Sequence, residues 1–197
     1  MPQPANPNSI QRINVIGTSG SGKSTFSKKL AAIIQAPYIE IDKIFWLPGW
    51  KHLPSEELSK KLEDILSAEK WVLDGNYEKT TPVKWKNANL VIWLDYSFFT
   101  VVTRAVRRAA WRCITQVELW EGTGNKESFI KLFTPESVVW WTLKTFRKNK
   151  IQYGAAMEDK NYAHIKFIRL SSPAEAEKFL TGLSNWKQCP LPIDISY

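Results

Sequence analysis

Residues 17–25, GTSGSGKST, place three glycines and a run of serines and threonines around one lysine, directly behind the apolar stretch Ile13-Asn14-Val15-Ile16. Residues this small fill no core. Glycines without a Cβ let successive backbone N–H groups converge on one anion. The spacing Gly17-x-x-x-x-Gly22-Lys23-Ser24 fits the phosphate-binding loop pattern in full. In such a loop Gly17, Ser19, Gly20, Ser21, Gly22 and Thr25 form the cradle, and Lys23 adds a positive charge at the β- and γ-phosphates. Ser24 offers a hydroxyl to Mg²⁺, and the helix beginning there turns its positive end to the anion. ATP with Mg²⁺ is the expected ligand.

Three acids close apolar runs further on: Asp42 in IEIDKIFW, Asp74 in WVLDGNY and Asp95 in VIWLDYS. If those runs are strands of an open parallel sheet, their C-terminal ends meet at the ligand crevice. Two carboxylates facing one phosphate loop repel each other unless a metal or an acceptor hydroxyl offsets the charge. An aspartate at any one strand end is also, in its plain reading, a helix cap or turn former. Asp95 reads as a turn residue.

The stretch TRAVRRAAWRC carries Arg104, Arg107, Arg108 and Arg112 with no acid among them. On a helical projection Val102, Val106, Ala109 and Cys113 share one face, and the arginines with Trp111 the other. The plain reading is a solvated basic face, but cations this dense repel along i, i+4 rows and are commonly met by an anion. Trp46 and Trp50 flank Pro48-Gly49 at the mouth of the expected acceptor site. Packing is one reading of them, stacking on an acceptor base or sugar the other.

The elements that must position these groups alternate. Strands are expected over 12–16, 38–41, 71–73, 90–94 and 164–170, and helices over 23–35, 55–68, 98–113 and 173–180. Ser55 is a plausible cap for the second helix, with Leu58, Leu62, Ile65 and Leu66 inward. The pattern predicts an α/β fold, a three-layer P-loop NTPase with a five-stranded parallel sheet. Residues 10–197 read as one domain after a frayed tail at 1–9. Residues 43–70 form an acceptor-side region. Residues 114–160 break the alternation and read as an inserted, partly helical lid, with a glycine turn in WEGTGNKES and a basic cluster around Arg147 in KTFRKNK.

Taken together, GTSGSGKSTFSKKLA, IEIDKIFWLPGW and WVLDGNY resemble the bacterial DNA topology modulation proteins, a family of small adenylate-kinase-like P-loop proteins. The likeness covers residues 12 to about 112 well and the final strand and helix loosely. LDG resembles the segment of adenylate kinases whose aspartate holds a magnesium-bound water, which implies that role for Asp74. IEIDKIFW resembles the strand-then-aspartate of uridine-kinase-like and shikimate-kinase-like enzymes, which implies that Asp42 orients or deprotonates an acceptor hydroxyl. In adenylate-kinase-like proteins arginines nine and thirteen residues after the fourth strand's aspartate cover the adenine and reach the transferring phosphate. From Asp95 those positions are Arg104 and Arg108. Where adenylate kinases carry Phe-Pro-Arg to grip AMP, this chain has Asn76-Tyr77-Glu78, so that grip is not carried over. Asn76, Tyr77, Arg112 and Arg147 remain candidate acceptor contacts.

The balance of 27 Lys and Arg against 19 Asp and Glu leaves a net charge of +8, which draws phosphates of any kind, nucleotide or nucleic acid. Cys113 and Cys189 have no CxxC partner, which points to a reducing cytoplasm and away from structural zinc. No apolar run is long enough for a bilayer, and nothing decides between monomer and homodimer. The leading reading is a phosphotransferase moving the γ-phosphate of MgATP to a small acceptor: a nucleoside, a nucleotide or another small metabolite. The alternatives are a nucleotide-dependent nucleic-acid-binding protein acting on DNA topology, and a simple ATPase.

Overall fold

The apolar runs pair side by side as one sheet. In the computed structural model, which describes residues 11–127 and 137–188, strands β1 (Arg12–Gly17), β2 (Tyr38–Glu40), β3 (Trp71–Asp74), β4 (Leu90–Leu94) and β5 (Lys166–Leu170) are all parallel. Their order is β2-β3-β1-β4-β5. The helices are α1 (Lys23–Ile34), α2 (Ile41–Phe45), α3 (Ser55–Ile65), α4 (Thr81–Lys86), α5 (Phe98–Thr115), α6 (Val138–Glu158) and α7 (Pro173–Gln188).

Alternation along β1 sends Ile13 and Val15 to one face and Ile16 to the other. The first face packs under α1 and α7, through Phe26, Leu30, Ile34, Leu180 and Leu183. The second packs Ile16, Trp71, Leu73, Val91 and Trp93 under α3 and α4, through Leu58, Leu62 and Trp85, and adds Tyr153 of α6. With both faces covered, strands read as unbroken apolar runs. Each large side chain so buried stabilises the fold by about 1.5–3 kcal/mol. Asn14 is the polar exception in β1. It donates to Leu73 O at 3.0 Å and accepts from Trp85 Nε1 at 2.9 Å, tying β1 to β3 and α4.

Several expectations shift. Strand β2 stops at Glu40, so Ile41 and Asp42 open the short α2 instead of closing a strand. Pro54, not Ser55, holds the N-cap position of α3, with no side-chain capping bond, and Ile65 is exposed while Leu66 is buried. The inward face of α5 is Val101, Ala105, Ala109 and Cys113, with Val106 47% exposed. The reason is close approach. A Cβ on Gly20 would stand 2.5 Å from Val101 O and 3.1 Å from Ala105 Cβ, so α5 meets the loop through the Val101 backbone and Ala105, and Val106 turns outward. Among the described residues the lid region holds a turn closed by the bridge between Glu118 and Lys126, and the 21-residue α6. The expected tail at 1–9, Cys189 and the stretch 128–136 lie outside the described residues. Among the described residues no helix is long and apolar enough to cross a membrane.

Candidate functional site

β1 ends at Gly17 in the middle of the sheet, with β3 and β4 on either side, and the loop follows at their C-terminal edge. Gly20 and Gly22 have φ of 89° and 90°, a left-handed conformation that disfavours side chains. Gly22 starts α1 with no side-chain cap and no acid in the first turn, so the amides there stay directed outward. Ser21 Oγ is buried without a partner. Lys23 Nζ folds back on the loop, donating to Gly17 O at 2.8 Å and Thr18 O at 3.3 Å. Burial lowers its pKa, against the pull of Asp74 and Asp42. An open amide cradle, an orphan hydroxyl and a buried ammonium fit a polyphosphate.

Two elements hold the loop's shape. Asn76, after β3, accepts from the Gly17 N–H at 3.1 Å and donates to Gly17 O in a short contact. Arg108 of α5 donates to Ser19 Oγ at 2.8 Å. α6 adds Asn149 Nδ2, which donates to Thr18 Oγ1 at 3.4 Å. Beside the loop lies a cleft of about 770 Å³ lined by residues 20–26, Tyr96, Arg104, Arg107, Arg108, Trp111 and Arg112. Arg104 lies over the Tyr96 ring at 5.6 Å, and Arg112 pairs with Glu127 at 3.9 Å. Burial, then Arg112, lowers the Arg108 pKa. The basic face and the loop therefore enclose one space, as the arginine spacing suggested.

Asp74 and Asp42 lie within electrostatic reach of both Lys23 and Arg108. Tyr38 OH donates to Asp74 Oδ2 at 3.1 Å and also meets Ser24. Ser24, Asp74 and phosphate oxygens, with waters completing the shell, suit Mg²⁺, which takes few protein ligands. Asp42 Oδ1 accepts from Tyr77 OH at 2.8 Å. Burial pushes the Asp42 carboxyl up, opposed by that bond and by Lys23. A carboxyl moved toward neutrality is tuned for proton exchange.

Trp46 stacks on Trp120 at 5.3 Å and 16°, and Trp50 meets both rings edge-on. Asn125 fastens this lid turn to the acceptor arm, accepting from Trp50 N and donating to Leu47 O, both at 2.9 Å. The two tryptophans thus pack together with Trp120, and Phe45 lies on Tyr77 at 4.4 Å. Arg147 lies on α6 and lines neither the arginine cleft nor a second, smaller one between α4 and α6. Its neighbours make the contacts: Lys148 with Glu78 at 2.8 Å and Lys150 with Asp95 at 3.6 Å. Asp95 is no simple turn residue. It is buried and bonded to Arg169 Nε at 2.8 Å. Sequence reading missed Asn125, Asn149 and Arg169. All three act across more than 70 residues of chain, and no local spacing marks them.

No protein-family model matches the chain, and no curated protein does. Solved structures are similar throughout. The shikimate kinase from Acinetobacter baumannii in complex with shikimate aligns at TM-score 0.54 and 15% identity, over 93% of this chain and 96% of that one. The shikimate kinase from Bacteroides thetaiotaomicron aligns at 0.50 and 14%, over 91% and 99%. A gluconokinase from Sinorhizobium meliloti 1021 aligns at 0.47 and 17%, over 91% and 96%. The likeness to DNA topology modulation proteins rests on the sequence motifs alone. Five parallel strands in the order β2-β3-β1-β4-β5, flanked by helices on both faces, give this chain the α/β fold of the P-loop kinases.

Proposed function

We propose that the chain is an ATP-dependent phosphotransferase acting on a small hydroxyl-bearing acceptor. One observation carries the reading: the Asp42 carboxyl, held by Tyr77, lies within electrostatic reach of both the loop's Lys23 and the cleft's Arg108. A proton acceptor and a polyphosphate cradle thus share one ammonium between them. The fold shared with shikimate kinases supports the same class of reaction.

In this mechanism the loop amides and Lys23 hold the β- and γ-phosphates, and Ser24 with Asp74 holds Mg²⁺. The metal, when bound, neutralises charge on the phosphate oxygens. Asp42 accepts the acceptor's hydroxyl proton as that oxygen bonds to the γ-phosphorus, and the bond from phosphorus to the ADP oxygen breaks. Arg104 and Arg108 meet the equatorial and leaving oxygens, so catalysis is placement plus charge stabilisation. Asp42 lines neither cleft, and the Trp46–Trp120 stack with Asn125 fastens the lid turn to the acceptor arm. Parting of that turn would widen the acceptor side, and reclosure would exclude water.

The nucleic-acid reading draws on the +8 charge. The arginines that would serve it line the cleft beside the loop, which favours a nucleotide there. Thermal unfolding with MgATP or an unhydrolysable analogue, against a panel of nucleosides, nucleotides and small polyols, separates the two. MgATP is expected to stabilise the protein, one acceptor to add to that shift, and Lys23→Ala to abolish it. Stabilisation by duplex DNA alone, falling steeply with salt, would overturn the proposal. Asp42→Asn is expected to cut turnover more than ATP affinity.

A further inference from the structure

Lys84, on α4, is 1% exposed, between Val83 and Trp85 of the second core. Among the described residues its Nζ has no hydrogen-bond or ion-pair partner, and burial alone acts on it. Buried cations are normally paired or neutralised, because desolvating an unpaired ammonium is costly. Sequence position gives no reason for the lysine, since Val83 and Trp85 on either side already belong to the apolar packing.

Lys84 also lines the cleft of about 420 Å³ between α4 and α6, apart from the loop, the arginines and Asp42. This volume suits a small organic molecule. Its walls are mixed: Ile16, Pro82, Trp85 and Tyr153 supply an apolar side, and Asn76, Thr81 and Gln152 supply uncharged polar groups. Two acids share the rim, and both are engaged: Glu78 with Lys148 at 2.8 Å, and Asp159 with the Asn161 N–H at 2.9 Å. Rim acids repel a polyanion, whereas one buried ammonium matches one negative charge.

We infer that the cleft between α4 and α6 is a second ligand site, for a small monocarboxylic acid with an apolar or aromatic body, whose carboxylate pairs with Lys84 Nζ. Asn76 forms part of the same wall and clamps Gly17. Occupancy is therefore linked to the shape of the phosphate loop, which makes the site regulatory in character.

The test is calorimetric titration of the full chain with benzoate and with inorganic phosphate, at pH 6.5 and 8.5. Burial lowers the free Lys84 ammonium to about pKa 7. Carboxylate binding then needs a proton, and benzoate affinity is expected to fall at least about tenfold between the two pH values, with proton uptake at the higher one. The other titratable groups facing the cleft or its rim are Glu78, Asp159, Lys148, Tyr153 and Tyr162. Burial pushes the Tyr153 phenol up, away from that window. Lys84→Met keeps the side-chain length and removes the charge; it is expected to fold and to lose benzoate binding. Lys23→Ala is expected to leave benzoate binding intact, which separates this site from the loop. The inference is overturned if benzoate does not bind at millimolar concentration, if Lys84→Met binds it as tightly, if phosphate binds in its place, or if Lys23→Ala abolishes it.

Discussion

Replacing Lys84 by Met reads the cost of its burial directly, without any ligand. A lysine amine in water titrates at 10.5, and burial in the fold lowers that of Lys84 to about 7. Each pKa unit corresponds to about 1.4 kcal/mol. Below pH 7 the folded state therefore bears a penalty on the order of 5 kcal/mol for keeping the ammonium desolvated. The sign follows from proton counting. Between about pH 7 and 10.5 the unfolded chain holds a proton that the folded chain has released, so stability rises with pH through that window. At pH 9 about two units of the difference have been relieved, roughly 3 kcal/mol. The methionine variant lacks this titration. Urea unfolding followed by tryptophan fluorescence, at pH 6, 7.5 and 9, gives the assay. Every other titrating group is common to both proteins and cancels in the difference. The variant is expected to be the more stable at pH 6, by a margin that shrinks by roughly 3 kcal/mol at pH 9. A margin constant across the range would refute the reasoning, since Lys84 would then be charged and solvated throughout.

Gly20→Ala puts a Cβ 2.5 Å from Val101 O at φ 89°, whereas Gly49→Ala meets no atom within 4 Å at φ 69°. The second variant measures conformational strain alone, about 1–2 kcal/mol; the first is expected to melt lower still and to lose ATP-dependent stabilisation, and equal effects would remove the contact between loop and α5 as an explanation. Arg108→Ala is expected to lower turnover by at least roughly a hundredfold while the protein stays folded, measured by coupled kinase assay with a melting curve; an unfolded variant would make the Ser19 bond structural. Asn125→Ala removes two hydrogen bonds of about 1 kcal/mol each from the lid contact. Acrylamide quenching of tryptophan emission is expected to rise, and an unchanged quenching curve would mean that the Trp46–Trp120 stack holds the lid without Asn125.

Local order in the chain was sufficient for the loop, the strands and most of the helices. The phosphate-binding loop pattern spans eight consecutive residues, four of them fixed, and a buried parallel strand announces itself by an apolar run, as 90–94 does in full and 13–16 does but for Asn14. The arginine cluster was legible for the same reason: its members recur on one helix at three- and four-residue intervals. Which side of that helix turned inward was not. The choice of Val101 and Ala105 over Val106 depends on how closely Gly20 approaches, a distance between segments more than 80 residues apart.

Tertiary structure alone decided the partners of the polar groups. Asn76 became a clamp on Gly17, Tyr77 a support for Asp42, and Asn125 a tie between lid and acceptor arm, because folding brought each beside a backbone or carboxyl group it could satisfy. The burial of Lys84 likewise follows from how α4 packs against the sheet beside the cleft, and in sequence it is one lysine among many. Composition and periodicity determine which residues leave water. The pairing of those that carry charge into the interior is set by three-dimensional proximity, for which one-dimensional spacing holds no record.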